Sequence, residues 1–352
     1  MMTVNEIKAL PSWDEVLKQK KRPVWVYGMG NGCEKLLRVF EERGVVCAGI
    51  AVSDDRASRR EFCGFPLVPL SRIEGEDVSI AVAFGTTQPE VMARIDTLAE
   101  RHTLVYPELS VAGEGSFERS VLSERYEDME RVCSLLRDET SRRIFDNVLR
   151  FKITGDIRFL SEYSDEDEIS RDILRLGEDE IYCDLGAYNG DTVLDFLART
   201  GGRYRHIYAV EPSVKNFQKC LRSLGSLDSI TLINAAASDR DGEACFSTGA
   251  GRQQALTGSG RRVSVRSLDS ILGGSPCTCI KYDVEGEDSP ALLGSAETIR
   301  RFCPKIRTGI YHRPYDILDI PLLIDSLRPG YSFYIRRRNC YPAWDVEALA
   351  VL

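Results

Sequence analysis

The stretch "IYCDLGAYNGDT" at residues 181–192 decides the fold of the C-terminal half of the chain. An apolar run ends at Asp184, a glycine turn extends from Gly186 to Gly190, and a helical pattern follows. A turn of this kind between a strand and a helix lets backbone N–H groups approach a ligand closely. The stretch therefore predicts the first strand and the ligand-binding loop of a parallel α/β sheet.

The composition is that of an ordinary globular protein. The 352 residues predict two domains, and the chain has no apolar run of the length that a membrane span needs. The N-terminus lacks the apolar core of a signal peptide, so a cytoplasmic protein is expected. The net charge of −8 argues against a general nucleic-acid-binding protein. The 11 cysteines include no CxxC pair and there are three histidines, which argues against a zinc site.

Strands alternate with helices twice along the chain, with a charged helical stretch between the two units. Such alternation predicts a parallel sheet covered by helices in each unit. We therefore predict a small Rossmann-like domain at residues 1–108, a helical connector at 109–180 and a doubly wound α/β domain at 181–352. The last segments of the chain are expected to close the second sheet as an antiparallel pair.

Two acids indicate what the glycine turn could hold. Asp184 precedes the turn, and a carboxylate there suits a cationic amino acid tail better than a pyrophosphate. Glu211 ends the next strand, where a carboxylate can accept hydrogen bonds from the ribose hydroxyls of any adenosine-like ligand. Because the loop departs from the GxGxxG pattern, S-adenosylmethionine is favoured over a nicotinamide dinucleotide.

Five ordered motifs resemble the FkbM family of S-adenosylmethionine-dependent methyltransferases. They are "DLGAYNGDT", "YAVEPSVKNFQKCL", "NAAASDRDG", "VRSLDSIL" and "IKYDVEGEDSPALLGSAETI". The similarity covers about residues 180 to 350 and extends to "YHRPYDILDIP" and "YSFYIRRR" near the end. One such motif is a weak signal, whereas five in order are specific.

The resemblance implies a class I methyltransferase fold and a cofactor site. Asp184 and the glycine turn would hold the methionine part, and Glu211 would hold the ribose. The backbone near Ala236, with Ser238 and Asp239, would line the adenine. The cofactor-binding residues predicted in this way are Asp184, Gly186, Ala187, Tyr188, Asn189, Gly190, Asp191, Thr192, Glu211, Pro212, Ala236, Ser238 and Asp239.

Methyl transfer to a hydroxyl needs an in-line approach and benefits from a base. The family's "DVEG" is present at residues 283–286, and the glutamate that usually follows it is Asp288 here. The predicted catalytic residues are Asp283, Glu285 and His312, which neighbouring strands would bring together.

Each catalytic candidate also has an alternative role. Asp283 could form a buried ion pair with Lys281. Glu285 could cap the next helix, where acids suit the N-terminus, and His312 could pack on Tyr311. The three candidates could also hold a divalent ion, since carboxylates suit magnesium or manganese, but the prediction is a site without a metal.

A second glycine loop, "VYGMGNG", lies in the N-terminal unit. Gly28, Gly30 and Gly32 are predicted to contact a nucleotide, with Asp54 at the end of the next strand. Cys33 stands where the dinucleotide fingerprint requires its third glycine. The unit resembles the small Rossmann-like domain found before sugar acyltransferases and before some FkbM-type proteins. Nucleotide-sugar binding, dinucleotide binding for redox work and a purely structural role all stay open.

The sequence thus predicts an S-adenosylmethionine-dependent methyltransferase that acts on a sugar or polysaccharide hydroxyl. One alternative is a nucleotide-sugar-binding or assembly protein with a relict methyltransferase fold. Another is an NAD-dependent sugar-modifying oxidoreductase. The expected partner is a small-molecule or glycan acceptor, including a nucleotide-linked sugar. Nucleic acid is not expected as a partner, a membrane span is not expected, and homo-oligomer formation is left open.

Overall fold

The computed structural model describes residues 4–56, 61–113, 115–246, 256–257 and 261–352. The α-helices in these ranges are α1 (Val4–Lys8), α2 (Trp13–Lys20), α3 (Asn31–Arg43), α4 (Pro89–Arg101), α5 (Val121–Glu124), α6 (Tyr126–Leu135), α7 (Glu139–Thr154), α8 (Asp191–Arg199), α9 (Val214–Leu224), α10 (Leu268–Leu272), α11 (Asp288–Leu293), α12 (Ala296–Phe302) and α13 (Asp316–Leu327). Among these described residues, no helix is long and apolar enough to cross a bilayer.

The strands are β1 (Val24–Tyr27), β2 (Cys47–Val52), β3 (Glu61–Phe62), β4 (Phe65–Pro69), β5 (Ser79–Val82), β6 (Thr103–Val105), β7 (Ile181–Leu185), β8 (His206–Val210), β9 (Ile230–Ile233), β10 (Ala236–Ala237), β11 (Gly242–Phe246), β12 (Leu256–Thr257), β13 (Arg261–Arg266), β14 (Cys279–Tyr282), β15 (Lys305–Gly309), β16 (Ser332–Arg337) and β17 (Val346–Val351). The strand predicted at the start of residues 181–192 is β7, and the predicted closing pair is β16 and β17.

The N-terminal sheet has the strand order β3-β4-β2-β1-β5-β6. The strands from β4 to β6 in this order are parallel, and the edge strand β3 pairs with β4 antiparallel. The start of α3 packs tightly on the end of β5, because a Cβ atom on Gly32 would lie 2.0 Å from the Ala83 carbonyl oxygen. Glycine at position 32 is therefore required for helix–sheet packing.

The C-terminal sheet has the strand order β16-β17-β15-β14-β7-β8-β9. It is parallel from β15 to β9, and β16 and β17 close it as an antiparallel pair. This confirms the predicted doubly wound α/β sheet with antiparallel closing strands. A third sheet, in the order β10-β13-β11-β12, adds to the predicted two.

The predicted connector contributes to the core as well as joining the units. Ile144, Phe145 and Val148 of α7 belong to the same buried apolar cluster as Ile80 of β5 and Ile280 of β14. Burial of such side chains is the main favourable contribution to folding. The helical segment thus packs with both sheets.

A stretch with the apolar periodicity of a single helix is two helices in the structure. The stretch "SPALLGSAETIRRF" forms α11 and α12, separated by Gly294 and Ser295. A Cβ atom on Gly294 would lie 2.0 Å from the Ser238 carbonyl oxygen. The close approach of the turn after β10 therefore coincides with the break, which helical periodicity alone did not reveal.

Candidate functional site

The predicted cofactor residues meet at the carboxyl edge of the C-terminal sheet. Strands β14, β7 and β8 are parallel neighbours there. The glycine turn follows β7, Glu211 follows β8 and Asp283 follows β14. Because the strand order reverses between β7 and β14, this edge is where an open α/β sheet binds its ligand.

The glycine turn has the backbone that the sequence predicts. Gly186 and Gly190 both have φ of 90°, a value that favours glycine. The amides of Gly186 and Ala187 donate to the Val210 carbonyl at 2.9 and 3.0 Å. A Cβ atom on Gly186 would lie 2.0 Å from the Asp283 carbonyl oxygen, so the turn touches the loop after β14.

The end of the turn leads into α8, for which Gly190 is the N-cap residue. Asn189 Oδ1 accepts a hydrogen bond from the Asp191 amide at 3.1 Å. Tyr188 is half exposed, and Lys219 Nζ lies 5.3 Å from the centroid of its ring. The turn therefore combines a fixed backbone with an aromatic ring at the surface.

Asp184 does not lie at the mouth of the turn, which corrects the prediction of an acid that faces the ligand. Its side chain is fully buried in β7, with Lys281 Nζ 3.1 Å from Oδ1. The Thr192 hydroxyl donates to Oδ2, so protein groups contact both oxygens. Burial alone would lower the pKa of Lys281, but the neighbouring carboxylates of Asp184 and Asp283 raise it. Asp184 and Lys281 therefore form a buried ion pair beneath the turn.

Glu211 lies where the sequence predicts, directly after β8. Its carboxylate is buried and accepts hydrogen bonds from the amides of Tyr188 at 2.9 Å and Ser213 at 2.8 Å. Burial raises the pKa of Glu211 to about 7, although these hydrogen bonds lower it. Asn234, which is not among the predicted residues, donates to the carbonyls of Glu211 at 2.8 Å and Pro212 at 3.2 Å. Its position directly after β9 was the available signal.

The predicted adenine-lining residues follow β9. Ala236 in β10 pairs with Val265 of β13, and the Ser238 amide donates to the Arg266 carbonyl at 3.1 Å. Both Ala236 and Ser238 are buried, whereas the Asp239 side chain is 44% exposed. The pairing of β10 with β13 therefore fixes the backbone of the predicted adenine-lining segment, and the Asp239 side chain stays accessible.

The structure brings two of the three catalytic candidates into contact. His312 Nε2 lies 3.3 Å from Asp283 Oδ1, and His312 Nδ1 lies 2.9 Å from Asp288 Oδ2. The side chains of His312 and Asp288 are 0% and 1% exposed, whereas that of Asp283 is 43% exposed. The three residues form a row that leads from a buried acid through the imidazole to an accessible carboxylate, and we refer to it as the Asp288–His312–Asp283 row.

Two carboxylates flank the imidazole of His312. Burial alone would lower its pKa, but the charges of Asp288 and Asp283 and their hydrogen bonds raise it well above its usual value. The ring also packs on Tyr311, with 4.2 Å between the centroids. His312 therefore packs on Tyr311 and contacts two carboxylates at the same time.

Asp288 also shapes the loop that carries the third candidate. Its Oδ2 atom accepts a hydrogen bond from the Gly286 amide at 3.2 Å. Glu285 has φ of 53°, which residues other than glycine rarely adopt. The N-cap residue of α11 is Glu287, so Glu285 does not occupy the capping position considered above.

Within the described ranges, one group of side chains could present three metal-ligand atoms within 4.8 Å of one another: Asp288, His312 and Asp316. It shares only His312 with the trio considered from the sequence. Burial and the Asp288 charge raise the pKa of Asp316 to about 7. Asp288 Oδ2 and His312 Nδ1 form a hydrogen bond of 2.9 Å, and Asp316 accepts a hydrogen bond from the Arg313 amide at 2.8 Å.

The predicted N-terminal nucleotide residues lie around the start of α3 and after β2. A Cβ atom on Gly28 would lie 2.5 Å from Phe84 Cδ1, so Gly28 packs beneath that ring. Gly30 is the N-cap residue of α3. Asp54 is exposed and accepts a hydrogen bond from the Ser71 amide at 3.2 Å.

Comparisons with known proteins agree with this architecture. Residues 184–333 match the family model of the methyltransferase FkbM domain. The methyltransferase FkbM from Methylobacillus flagellatus KT has a similar structure, with a TM-score of 0.72 and 20% sequence identity over 99% of this chain and 96% of that chain. This likeness confirms the fold along nearly the whole chain.

Other solved structures match about half of the chain. Fibrillarin from Aeropyrum pernix, in complex with S-adenosyl-L-methionine, has a TM-score of 0.34 and 12% identity over 50% of this chain and 68% of that chain. An rRNA methylase from Streptococcus thermophilus has a TM-score of 0.35 and 15% identity over 54% of this chain and 98% of that chain. A comparison with curated proteins finds no match.

Proposed function

We propose that this chain, which carries an FkbM methyltransferase domain at residues 184–333, transfers a methyl group from S-adenosylmethionine to a hydroxyl of a sugar or polysaccharide. The observation that carries the proposal is the close contact between the backbone of Gly186 and the carbonyl oxygen of Asp283. A Cβ atom at position 186 would lie 2.0 Å from that oxygen. Because of this contact, a donor held by the glycine turn and an acceptor bound to Asp283 would be neighbours. The main requirement of an in-line displacement is that the two reactants are held close together and in line.

The residues at the sheet edge fit the proposed cofactor, whose sulfonium supplies the methyl group. The turn from Gly186 to Gly190 lets backbone approach a ligand, and a side chain at either glycine would collide with its surroundings. Glu211 has a buried carboxylate, which would accept hydrogen bonds from the ribose hydroxyls. Asp184 supports the turn from below through Lys281 and Thr192.

The Asp288–His312–Asp283 row would act on the acceptor. Asp283 is the exposed member, so its carboxylate can accept the proton of an acceptor hydroxyl. His312 and Lys281 hold that carboxylate, with contacts of 3.3 and 3.7 Å. Asp288 in turn orients the imidazole. The buried part of the row thus fixes the orientation of the base.

The choice of a sugar hydroxyl as the acceptor follows from the resemblance of the motifs to the FkbM family. A panel of mono- and oligosaccharides, tested for transfer of a labelled methyl group, would identify the acceptor class. Transfer to amines or thiols with none to hydroxyls would contradict the proposed O-methylation.

Calorimetry with S-adenosylhomocysteine tests the cofactor. We expect binding by the intact chain and its loss in Glu211→Ala, while Asp54→Ala in the N-terminal unit keeps it. Parallel titrations with NAD and with a UDP-sugar test the two alternative functions. Binding of NAD without binding of S-adenosylhomocysteine would rule out the proposed cofactor and favour an oxidoreductase.

A further inference from the structure

The loop that follows β14 carries the proposed base in an uncommon backbone conformation. Glu285 and Gly286 are consecutive residues with positive φ, 53° and 93°. A left-handed backbone is unfavourable for a residue with a side chain, so it persists where surrounding groups hold it in place. Asp283 lies two residues before Glu285, and a change in the loop would move its carboxylate relative to His312. The groups that hold this loop therefore decide where the proposed base lies.

Side chains hold both polar groups of the Gly286 backbone. Asp288 Oδ2 accepts a hydrogen bond from the Gly286 amide at 3.2 Å, and Arg313 Nε donates to the Gly286 carbonyl at 2.6 Å. Asp288 also contacts the His312 imidazole, and Arg313 is the next residue in the chain after His312. Both contacts therefore join the loop after β14 to the segment after β15.

A segment of the connector packs against the same glycine. A Cβ atom on Gly286 would lie 2.5 Å from Ala112 Cβ and 3.3 Å from Arg313 Nε. The Ala112 amide donates to the His312 carbonyl at 2.9 Å, and the Ser110 hydroxyl donates to it at 3.3 Å. The loop is therefore packed on the side of Ala112 as well as hydrogen-bonded to Arg313.

The Arg313 side chain lies at the surface of the protein. It is 51% exposed, and its Nη2 atom lies 3.0 Å from Glu287 Oε1. Exposed ion pairs of this kind contribute little to the stability of a fold. The hydrogen bond from the charged guanidinium to the Gly286 carbonyl is of a stronger class. Arg313 is therefore better placed to hold the loop than to stabilise the protein as a whole.

We propose that Arg313 is a positioning residue of the methyltransferase site. Its guanidinium holds the Gly286 carbonyl, and the loop fixed in this way keeps the Asp283 carboxylate beside His312. This role deepens the function proposed above and depends on it, because it makes Arg313 the residue that orients the proposed base. No role for Arg313 is predicted from the sequence.

The imidazole of His312 reports the position of Asp283. Burial alone would lower the pKa of His312, but Asp288 and Asp283 raise it well above its usual value. If Arg313 positions Asp283, that carboxylate moves away in Arg313→Met and the imidazole pKa falls. If Arg313 acts through its charge alone, its removal raises the imidazole pKa, because a nearby positive charge disfavours the protonated ring. The two roles thus predict changes of opposite sign.

The other acid near the ring should not respond to this substitution. An Asp316 carboxylate oxygen lies within 4.8 Å of a His312 ring nitrogen. Asp316 accepts from the backbone amide of Arg313 at 2.8 Å, and Arg313→Met keeps that amide. A fall in the imidazole pKa would therefore report movement of the loop after β14.

Nitrogen NMR of the imidazole rings in the full chain, recorded across a pH titration, tests the proposal. We expect the midpoint pH of His312 to fall by about 1 or more in Arg313→Met. The matched control is Arg300→Met, which removes an exposed arginine of α12 at the opposite edge of the sheet and should leave the midpoint unchanged. An unchanged or raised midpoint in Arg313→Met would overturn the proposal. If this variant does not fold, Arg313→Lys, which lacks the Nε donor, allows the same comparison with the same expected fall.

Turnover separates this role from the proposed function itself. In a chain that transfers methyl groups, Arg313→Met should lower turnover by about tenfold or more, because the base is no longer held in place. Binding of S-adenosylhomocysteine should stay normal, since Arg313 does not contact the glycine turn. If the intact chain neither binds S-adenosylhomocysteine nor transfers a methyl group, the proposed function fails, whereas a lowered His312 midpoint would still show that Arg313 positions Asp283. Full turnover of Arg313→Met in an active chain would overturn the positioning role.

Discussion

Lys281 and Asp184 lie opposite each other on the neighbouring parallel strands β14 and β7, with 3.1 Å between Nζ and Oδ1. The pair lies directly beneath the glycine turn, and Lys281 also donates to the Gly186 carbonyl at 3.3 Å. One buried ion pair therefore links the first strand of the site to the strand that carries the proposed base.

Removal of the cation from this pair should destabilise the protein. In Lys281→Met the Asp184 carboxylate loses its charged partner while it stays buried, and we expect a loss of about 3 kcal/mol in the free energy of unfolding. Urea denaturation monitored by circular dichroism would measure it. Arg203→Met removes the cation of an exposed pair with Glu178 and should cost about 1 kcal/mol or less.

The double variant tests the electrostatic cause. Asp184→Asn added to Lys281→Met removes the unpaired charge, so the double variant should be more stable than Lys281→Met alone. If both variants lose the same stability, packing of the lysine side chain and not its charge is responsible.

Cofactor binding should depend on pH through Glu211. Its pKa is raised to about 7, and only the ionised carboxylate accepts hydrogen bonds from both ribose hydroxyls. Affinity for S-adenosylhomocysteine should therefore rise by about tenfold from pH 6 to pH 8. Calorimetry at several pH values would measure the profile, and Glu211→Gln should flatten it. A profile that keeps its slope in the variant would assign the titration to another group.

The same raised pKa has the opposite consequence for folding. The unfolded chain releases the Glu211 proton at a lower pH than the folded chain does. The stability linked to this group is therefore fully present below the unfolded pKa, and it is lost as pH rises through about 7. A bound cofactor that uses the carboxylate would offset this loss.

The sequence revealed those site features that depend on local order. A glycine turn after a strand, Glu211 after the next strand and "DVEG" after a third are each readable from adjacent residues, and the strand order confirms that they share one edge. The convergence of Asp283 and His312 was predictable because β14 and β15 are parallel neighbours.

The sequence did not reveal features that depend on register between distant strands. Asp184 and Lys281 are 97 residues apart, and their contact requires the particular alignment of β7 with β14. The contact of Asp288 with His312 likewise requires the turn after β14 to fold back toward β15. No spacing rule within one segment specifies such pairs, so the structure was needed to show that Asp184 is already neutralised.

The charge of His312 should respond to Asp288. Because Asp288 is one of the two carboxylates that raise the imidazole pKa, Asp288→Asn should lower that pKa. Nitrogen NMR of the imidazole rings would measure the shift, with His102 and His206 as internal controls. If His312 titrated in the variant as it does in the unmodified chain, Asp283 alone would set the charge of the imidazole.

The free energy of unfolding should also depend on the contact between Asp288 and His312. A histidine whose folded pKa is raised stabilises the protein below its unfolded pKa, and this contribution is lost as pH rises through the folded value. The destabilisation caused by Asp288→Asn should therefore be larger at about pH 6 than at alkaline pH. Urea denaturation at both pH values would show the difference, and a penalty independent of pH would indicate that the hydrogen bonds of Asp288 to the loop dominate.

Substitution of Asp283 should lower turnover much more than it weakens cofactor binding. Asp283→Asn keeps the shape of the side chain but removes the proton acceptor, so we expect methyl transfer to fall by about 100-fold or more while S-adenosylhomocysteine still binds. Glu287→Gln is the matched control, since this acid lies on the same loop, pairs with Arg313 at 3.0 Å and has no proposed role in proton transfer. Its turnover should stay near that of the unmodified chain. Unchanged turnover in Asp283→Asn would remove Asp283 from the mechanism and leave His312 as the base to test.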